Sequence, residues 1–116
     1  MNLETLELAR TIVDLISDKK GTDIILLDIR PVSFLADYFI ICNGDSDRQI
    51  KAIVEELVEK LKALNTHPLH IEGLPDSGWV LLDYGAVVVH VFAPDTRSYY
   101  QLERLWSGAK TLLRMQ

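Results

Sequence analysis

One cysteine, Cys42, stands in 116 residues, so an intramolecular disulfide and a cysteine-rich zinc site are both excluded. Placed in an apolar run, it is expected to be a buried strand thiol in a reducing compartment. Long apolar runs are also missing. Stretches such as Ala86–Val89 fall far short of the roughly twenty residues that a membrane-spanning helix needs. The opening "MNLETLELAR" carries Glu4 and Glu7 where an export signal requires a basic start and then uninterrupted apolar residues. These features predict a soluble, cytoplasmic protein with no membrane partner. Positive charge is scarce: 12 Lys and Arg against 17 Asp and Glu give a net charge of −5. Non-specific nucleic-acid binding depends on arrays of basic residues, so little direct RNA binding is expected and a basic protein surface is the better-matched partner.

Several catalytic signatures are absent as well. No G-x-x-x-x-G-K-[ST] or G-x-G-x-x-G phosphate loop, no G-x-S-x-G elbow and no H-E-x-x-H helix occurs. His67 and His70 are three apart but enclose Pro68, and no cysteine partner is available, so no metal site is assigned. Asn43, Asp45 and Asp47 imitate the start of a calcium loop, yet Arg48 occupies the position that needs glycine and Val54 the one that needs a bidentate glutamate. Asp45 and Asp47 also have the Asp-x-Asp spacing of metal-dependent nucleotidyl transfer. They stand at a helix entrance, where an acidic approach is favoured by the helix dipole. No catalytic residue and no cofactor is assigned.

What is present is a chain with 48% hydrophobic residues, enough for one sizeable core, read as a single domain over residues 1–116. Leu3, Leu6, Ala9, Ile12, Val13 and Ile16 recur at helical intervals, with Asn2 as the expected cap and Gly21 as the stop. "DIILLDI" (23–29) and "DYFIIC" (37–42) read as strands buried on both faces. Ser46 and Gln49 have capping-box spacing ahead of a long helix with the stripe Ile50, Ile53, Val54, Leu57, Val58, Leu61 and Leu64. "LHIEG", "WVLLDY" and "VVVHVF" follow as three short strands forming an antiparallel meander. Asp95 is the expected cap of a final helix, whose inward stripe would be Leu102, Leu105, Trp106, Ala109 and Leu113. The order αββαβββα predicts an α/β fold with a mixed five-stranded sheet and packed helices.

The remaining chemistry concentrates in the last third: Trp79, Tyr84, Tyr99, Tyr100 and Trp106, with Asp83, Arg97, Glu103 and Arg104. Trp, Tyr and Arg dominate binding hot spots, so this composition suggests an interface. His90, sharing a strand face with Val88 and Phe92, is expected to be a packed histidine at a sheet edge.

Four segments, "ADYFIICNGDSDRQIKAI", Glu72–Gly73, "GWVLLDYGAVVVHVF" and "RSYYQLERLW", resemble in content and order the ribosomal silencing factor (RsfS, Iojap-like) family. Two departures are visible. Ala86 replaces an acidic residue that usually follows "DYG", and Asn43 stands where the family more often has Ser or Thr. The resemblance implies a nucleotidyltransferase-like sheet without assigned catalysis. It also implies a partner, the large ribosomal subunit through ribosomal protein 14, and a steric block on joining of the small subunit. Within that frame Trp79, Asp83, Tyr84, Arg97, Tyr100 and Glu103 are the expected contact set, with His90 a further member. Gly44, Ser46, Arg48 and Gln49 are expected to shape a neighbouring loop. A role in large-subunit assembly or a metal-dependent nucleotidyltransferase are the alternatives, and a homodimer is compatible with exposed strand edges.

Overall fold

The computed structural model describes residues 4–116; the expected cap Asn2 and the stripe residue Leu3 lie outside the described residues. Helix α1 (Thr5–Asp18) turns Leu8, Ala9, Ile12, Val13 and Ile16 inward, as its period requires. Its stop differs from expectation. Lys20, with φ 66°, takes the left-handed conformation, and Gly21 donates its N–H to Ile16 O at 3.0 Å. Gly21 is there for space, since a Cβ would sit 2.4 Å from Ile16 Cγ2.

Strands β1 (Thr22–Asp28) and β2 (Tyr38–Asn43) are buried over most of their length. They pair antiparallel, and the turn between them carries the exposed apolar side chains Val32, Phe34 and Leu35. Helix α2 (Asp47–Ala63) begins at the expected cap: Ser46 Oγ accepts from Gln49 N at 3.1 Å. The return bond is redirected. Gln49 Oε1 accepts from Asp45 N at 2.6 Å, while its Nε2 donates to Lys19 O and Lys20 O at 3.2 and 2.8 Å. One glutamine thus starts α2 and ties it to the end of α1. Ile50, Ile53, Leu57 and Leu61 form its buried stripe, and Leu64, beyond the helix, is exposed.

The meander is present as β3 (His70–Glu72), β4 (Trp79–Asp83) and β5 (Val87–Phe92), all antiparallel neighbours. Strand β5 then lies parallel to β2. Beyond it the expected single helix is replaced by α3 (Pro94–Tyr100), α4 (Leu102–Leu105) and a further strand, β6 (Lys110–Met115). Gln101 at φ 47° separates the two short helices, and β6 pairs antiparallel with β1. The sheet therefore has six strands rather than five, in the order β3-β4-β5-β2-β1-β6. The expected inward stripe breaks up accordingly. Leu102 is buried and Leu105 is 73% exposed, while Leu113 packs from β6 opposite Leu26.

Alternation along the strands divides the core between the two faces of the sheet. Ile24, Leu26, Tyr38, Ile40, Cys42, Val80, Leu82, Val89 and Val91 pack on α1 and α2. Ile25, Leu27, Ile29, Phe39, Ile41 and Phe92 face the other way, against Leu102, Trp106 and Ala109. Cys42 is fully buried, and burial pushes its thiol up to about 12, so it is a packing residue rather than a nucleophile.

A candidate partner-binding face

The second sheet face is covered by the short α3–α4 segment together with Ile29 and Ala36 of the β1–β2 connection, and a groove opens beside α3. In β4, residues of one parity, Trp79, Leu81 and Asp83, project on this side, opposite Phe92, His90 and Val88 of β5. Strand β3 adds Glu72 beside Leu81 and His70 beside Asp83. The start of α3 is fixed to the same region because Ala93 N donates to Gly78 O at 2.8 Å. The resulting cavity, about 730 Å³, is lined by Glu72, Trp79, Leu81, Asp95, Tyr99 and Tyr100, with Gly73, Ser77 and Thr96 between them.

Its aromatic wall is braced from below. The Trp79 and Tyr100 ring centroids are 4.9 Å apart, and Trp79 also meets Phe92 at 4.9 Å. The indole Nε1–H donates to His90 Nδ1 at 3.2 Å. This acceptor role requires a neutral imidazole with its proton on Nε2, which has no hydrogen-bond partner among the described residues. Burial pushes His90 down to about 4, in keeping with that state. His90 is 4% exposed and lies on β5, an interior strand, so the expectation of a sheet-edge position is corrected. Its ring also touches Phe39, with centroids 4.9 Å apart.

Arg97, expected as a contact residue, is instead buried at the base of α3. Its Nε donates to Glu103 Oε1 at 2.5 Å, and its Nη1 donates to Asp23 O at 2.6 Å and Asn43 Oδ1 at 2.9 Å. Asp23 Oδ2 lies 3.6 Å from Nη2, and Asp23 Oδ1 pairs with Arg114 at 3.1 Å. A guanidinium suits this knot because its planar fork can address several acceptors at once. Glu103 is thereby engaged inside the protein. Asn43 ends β2 and supplies one of the acceptors for Arg97.

The expected contact set is thus divided. Trp79 and Tyr100 line the groove, and Asp83 lies on the same face near the β4–β5 turn, its Oδ1 accepting from Gly85 N at 2.7 Å. Gly85 takes φ 86°, which opens that tight turn. Tyr84 points to the opposite, helix-covered side; its hydroxyl is buried without a hydrogen-bond partner among the described residues, and burial raises it to about 12. Ala86 acts through its backbone, its carbonyl accepting from Asp37 N and Tyr38 N at 2.8 and 3.0 Å.

Among the expected loop residues, Gly44 donates to Phe92 O at 2.8 Å, and Arg48 lines a smaller cavity of about 450 Å³ with Asp47, Lys51, Leu74 and Asp76. Asp95, expected as a cap, lies inside α3, whose cap position is Ala93. Asp95 lines the groove instead. Sequence reasoning also missed Glu72 and Leu81 as lining residues; the period-two run Trp79, Leu81, Asp83 was the available signal. Among the described residues no group of three or more His, Cys, Asp or Glu could hold a metal ion, and no helix is long and apolar enough to cross a membrane.

Residues 2–115 match the family described as ribosomal silencing factor during starvation, RsfS. The chain belongs to this family. A protein of Halalkalibacterium halodurans named ribosomal silencing factor RsfS is 42% identical over 96% of this chain and 92% of its own length. A crystal structure of a Chromobacterium violaceum protein superposes with a TM-score of 0.87 at 40% identity, covering 93% of this chain and 90% of that one. A more distant relative, the mouse protein named mitochondrial assembly of ribosomal large subunit protein 1, is 34% identical over 83% of this chain and 43% of its own length. RsfS membership extends across both the helix-covered core and the groove.

Proposed function

We propose that this RsfS-family chain binds the large ribosomal subunit through ribosomal protein 14 and sterically blocks joining of the small subunit, thereby repressing translation. The observation that carries the reading is the preformed aromatic groove of Trp79 and Tyr100, rimmed by Glu72 and Asp95 on the side of the sheet away from α1 and α2. Such a surface suits a basic protein and disfavours bare RNA, and the net charge of −5 adds long-range attraction to the first and repulsion from the second. The names of the relatives support a ribosomal role. Trp79, Asp83 and Tyr100 are the proposed direct contacts. Arg97, Glu103 and His90 hold them in place, and Tyr84 contributes through the turn that carries Asp83. No turnover is required, because a domain bound at a subunit interface acts by occupying space.

The test is co-sedimentation with purified large subunits, with and without their protein 14, alongside light scattering for subunit joining. Binding and inhibition that depend on protein 14 support the reading; equal binding to subunits lacking it rejects the assigned partner. Large-subunit assembly is the second reading, favoured by the mouse relative's name. In that case removal of the protein would accumulate large-subunit precursors while leaving mature subunits free to join. The open edges of β3 and β6 also allow a homodimer. Sedimentation equilibrium of the isolated protein tests that association.

A further inference from the structure

The groove's lining combines two kinds of group. One is the Trp79–Tyr100 wall, with Tyr99 meeting Tyr100 edge-on at 5.0 Å. The other is the pair Glu72 from β3 and Asp95 from α3. Neither carboxylate makes a hydrogen bond or ion pair with a side chain of the described residues, and no Lys, Arg or His is part of the lining. Arg97, two positions beyond Asp95, is turned into the buried knot and cannot neutralise it. The wall is also held still, because the Trp79 N–H is fixed by His90.

These features select a ligand. An anion would meet two carboxylates, and a purely apolar group would strip water from them without supplying a partner. A cation with an apolar stem satisfies both sides: the stem lies along the rings, the charge gains from their π faces, and the head reaches the carboxylates. A planar guanidinium does this better than an ammonium, because it stacks on aromatic faces and donates in a fork.

We propose that this groove seats one arginine side chain of the partner protein, its stem along the Trp79–Tyr100 wall and its guanidinium toward Glu72 and Asp95. As an account of the biological partner this rests on the ribosomal reading above, but the seat can be tested without a ribosome. The probe is N-acetyl-arginine amide, compared with its uncharged isostere N-acetyl-citrulline amide. The readout is the Trp79 indole N–H resonance, with Trp106, packed against Phe39 elsewhere, as internal reference.

The arginine probe is expected to shift the Trp79 resonance saturably with a Kd on the order of millimolar, as befits an isolated side chain. The citrulline probe should bind at least about five-fold more weakly, since it lacks the charge that the rings and carboxylates select. The E72Q/D95N double variant changes two exposed side chains and should remain folded by circular dichroism while losing the arginine response. Equal responses to both probes, or an unchanged arginine response in folded E72Q/D95N, would overturn the proposal. Co-sedimentation separates the two ideas. Selective arginine binding without co-sedimentation of the parent would keep the seat and reject the ribosomal reading. Equal co-sedimentation of the parent and E72Q/D95N across rising salt would reject the seat and keep that reading.

Discussion

The indole Nε1–H of Trp79 donates to Nδ1 of His90 across 3.2 Å, so a partly buried groove wall is fixed by a ring buried in the sheet. Replacing Trp79 with Phe keeps an aromatic wall but leaves the His90 acceptor buried and unpaired. The expected loss of stability is about 1–3 kcal/mol, read as a shift in the urea midpoint. Trp79→Ala removes the wall too and should lose more, with large-subunit affinity falling by at least roughly tenfold.

Titration of His90 makes stability depend on pH in a defined window. Its folded pKa is pushed from 6.5 to about 4, so between these values the unfolded chain binds a proton that the folded chain excludes. Stability is therefore full above about pH 6.5 and declines as pH falls toward 4. Between pH 7 and 5 the loss should be on the order of 2 kcal/mol in urea unfolding. His90→Gln should flatten this dependence. Asp28, whose carboxyl the Arg30 side chain holds below the usual 3.8, contributes stability that is lost only below that value, outside the window.

Arg97→Met should destabilise by about 1–3 kcal/mol, because it removes the guanidinium that pairs with the partly exposed Glu103 and with the Asp23 and Asn43 acceptors. Asn43→Ser shortens one acceptor and should lose only about 1 kcal/mol. Hydrogen exchange provides a second measure: in Arg97→Met the amides of α3 and α4 should exchange well before those of β1 and β2 gain comparable freedom.

Gly73→Ala is expected to damage the groove through its backbone. Gly73 has φ 89°, and a Cβ there would fall 2.1 Å from the Trp79 carbonyl oxygen. Left-handed strain and the clash together should lose about 2 kcal/mol or more in thermal or urea unfolding. If Gly73→Ala matched the parent in stability, the close approach of Gly73 to the Trp79 carbonyl would be wrong.

Tyr100→Ala separates binding from folding. Tyr100 is 49% exposed and its side chain makes no hydrogen bond among the described residues, so unfolding should change by less than about 1 kcal/mol. Affinity for large subunits should nevertheless fall by roughly tenfold or more. An equal loss in both measurements would assign Tyr100 to packing rather than contact.

Elements whose signals are local were legible in the sequence. The α2 cap at Ser46, the buried strands β1 and β2 and the bounds of β5 follow from residues within a turn or strand of each other. The last third failed because its apolar spacing suits a helix while its outcome is decided elsewhere. Leu102, Leu105, Trp106, Ala109 and Leu113 are helical in period, but residues 110–115 gain more by pairing with the open edge of β1, more than eighty positions earlier. Arg97 was read as a surface contact for the same reason: its acceptors Asp23 and Asn43 come from distant strands that only the fold brings together. Tyr84 faces the helices because it continues the alternation of Val80 and Leu82, the parity opposite to Trp79, Leu81 and Asp83, so the strand period already carried its direction.

The Arg97 knot also orders events in time. It joins α3 to Asp23, which lies 74 positions earlier, and to Glu103, which lies 6 positions later. Closing so long a span is costly before the strands dock, so the base of the groove is expected to form late, which pulsed hydrogen exchange during refolding would test. During synthesis the wall cannot be completed until Glu103 has left the exit tunnel. A nascent chain therefore lacks a finished Trp79–Tyr100 groove until α3 and α4 have been made.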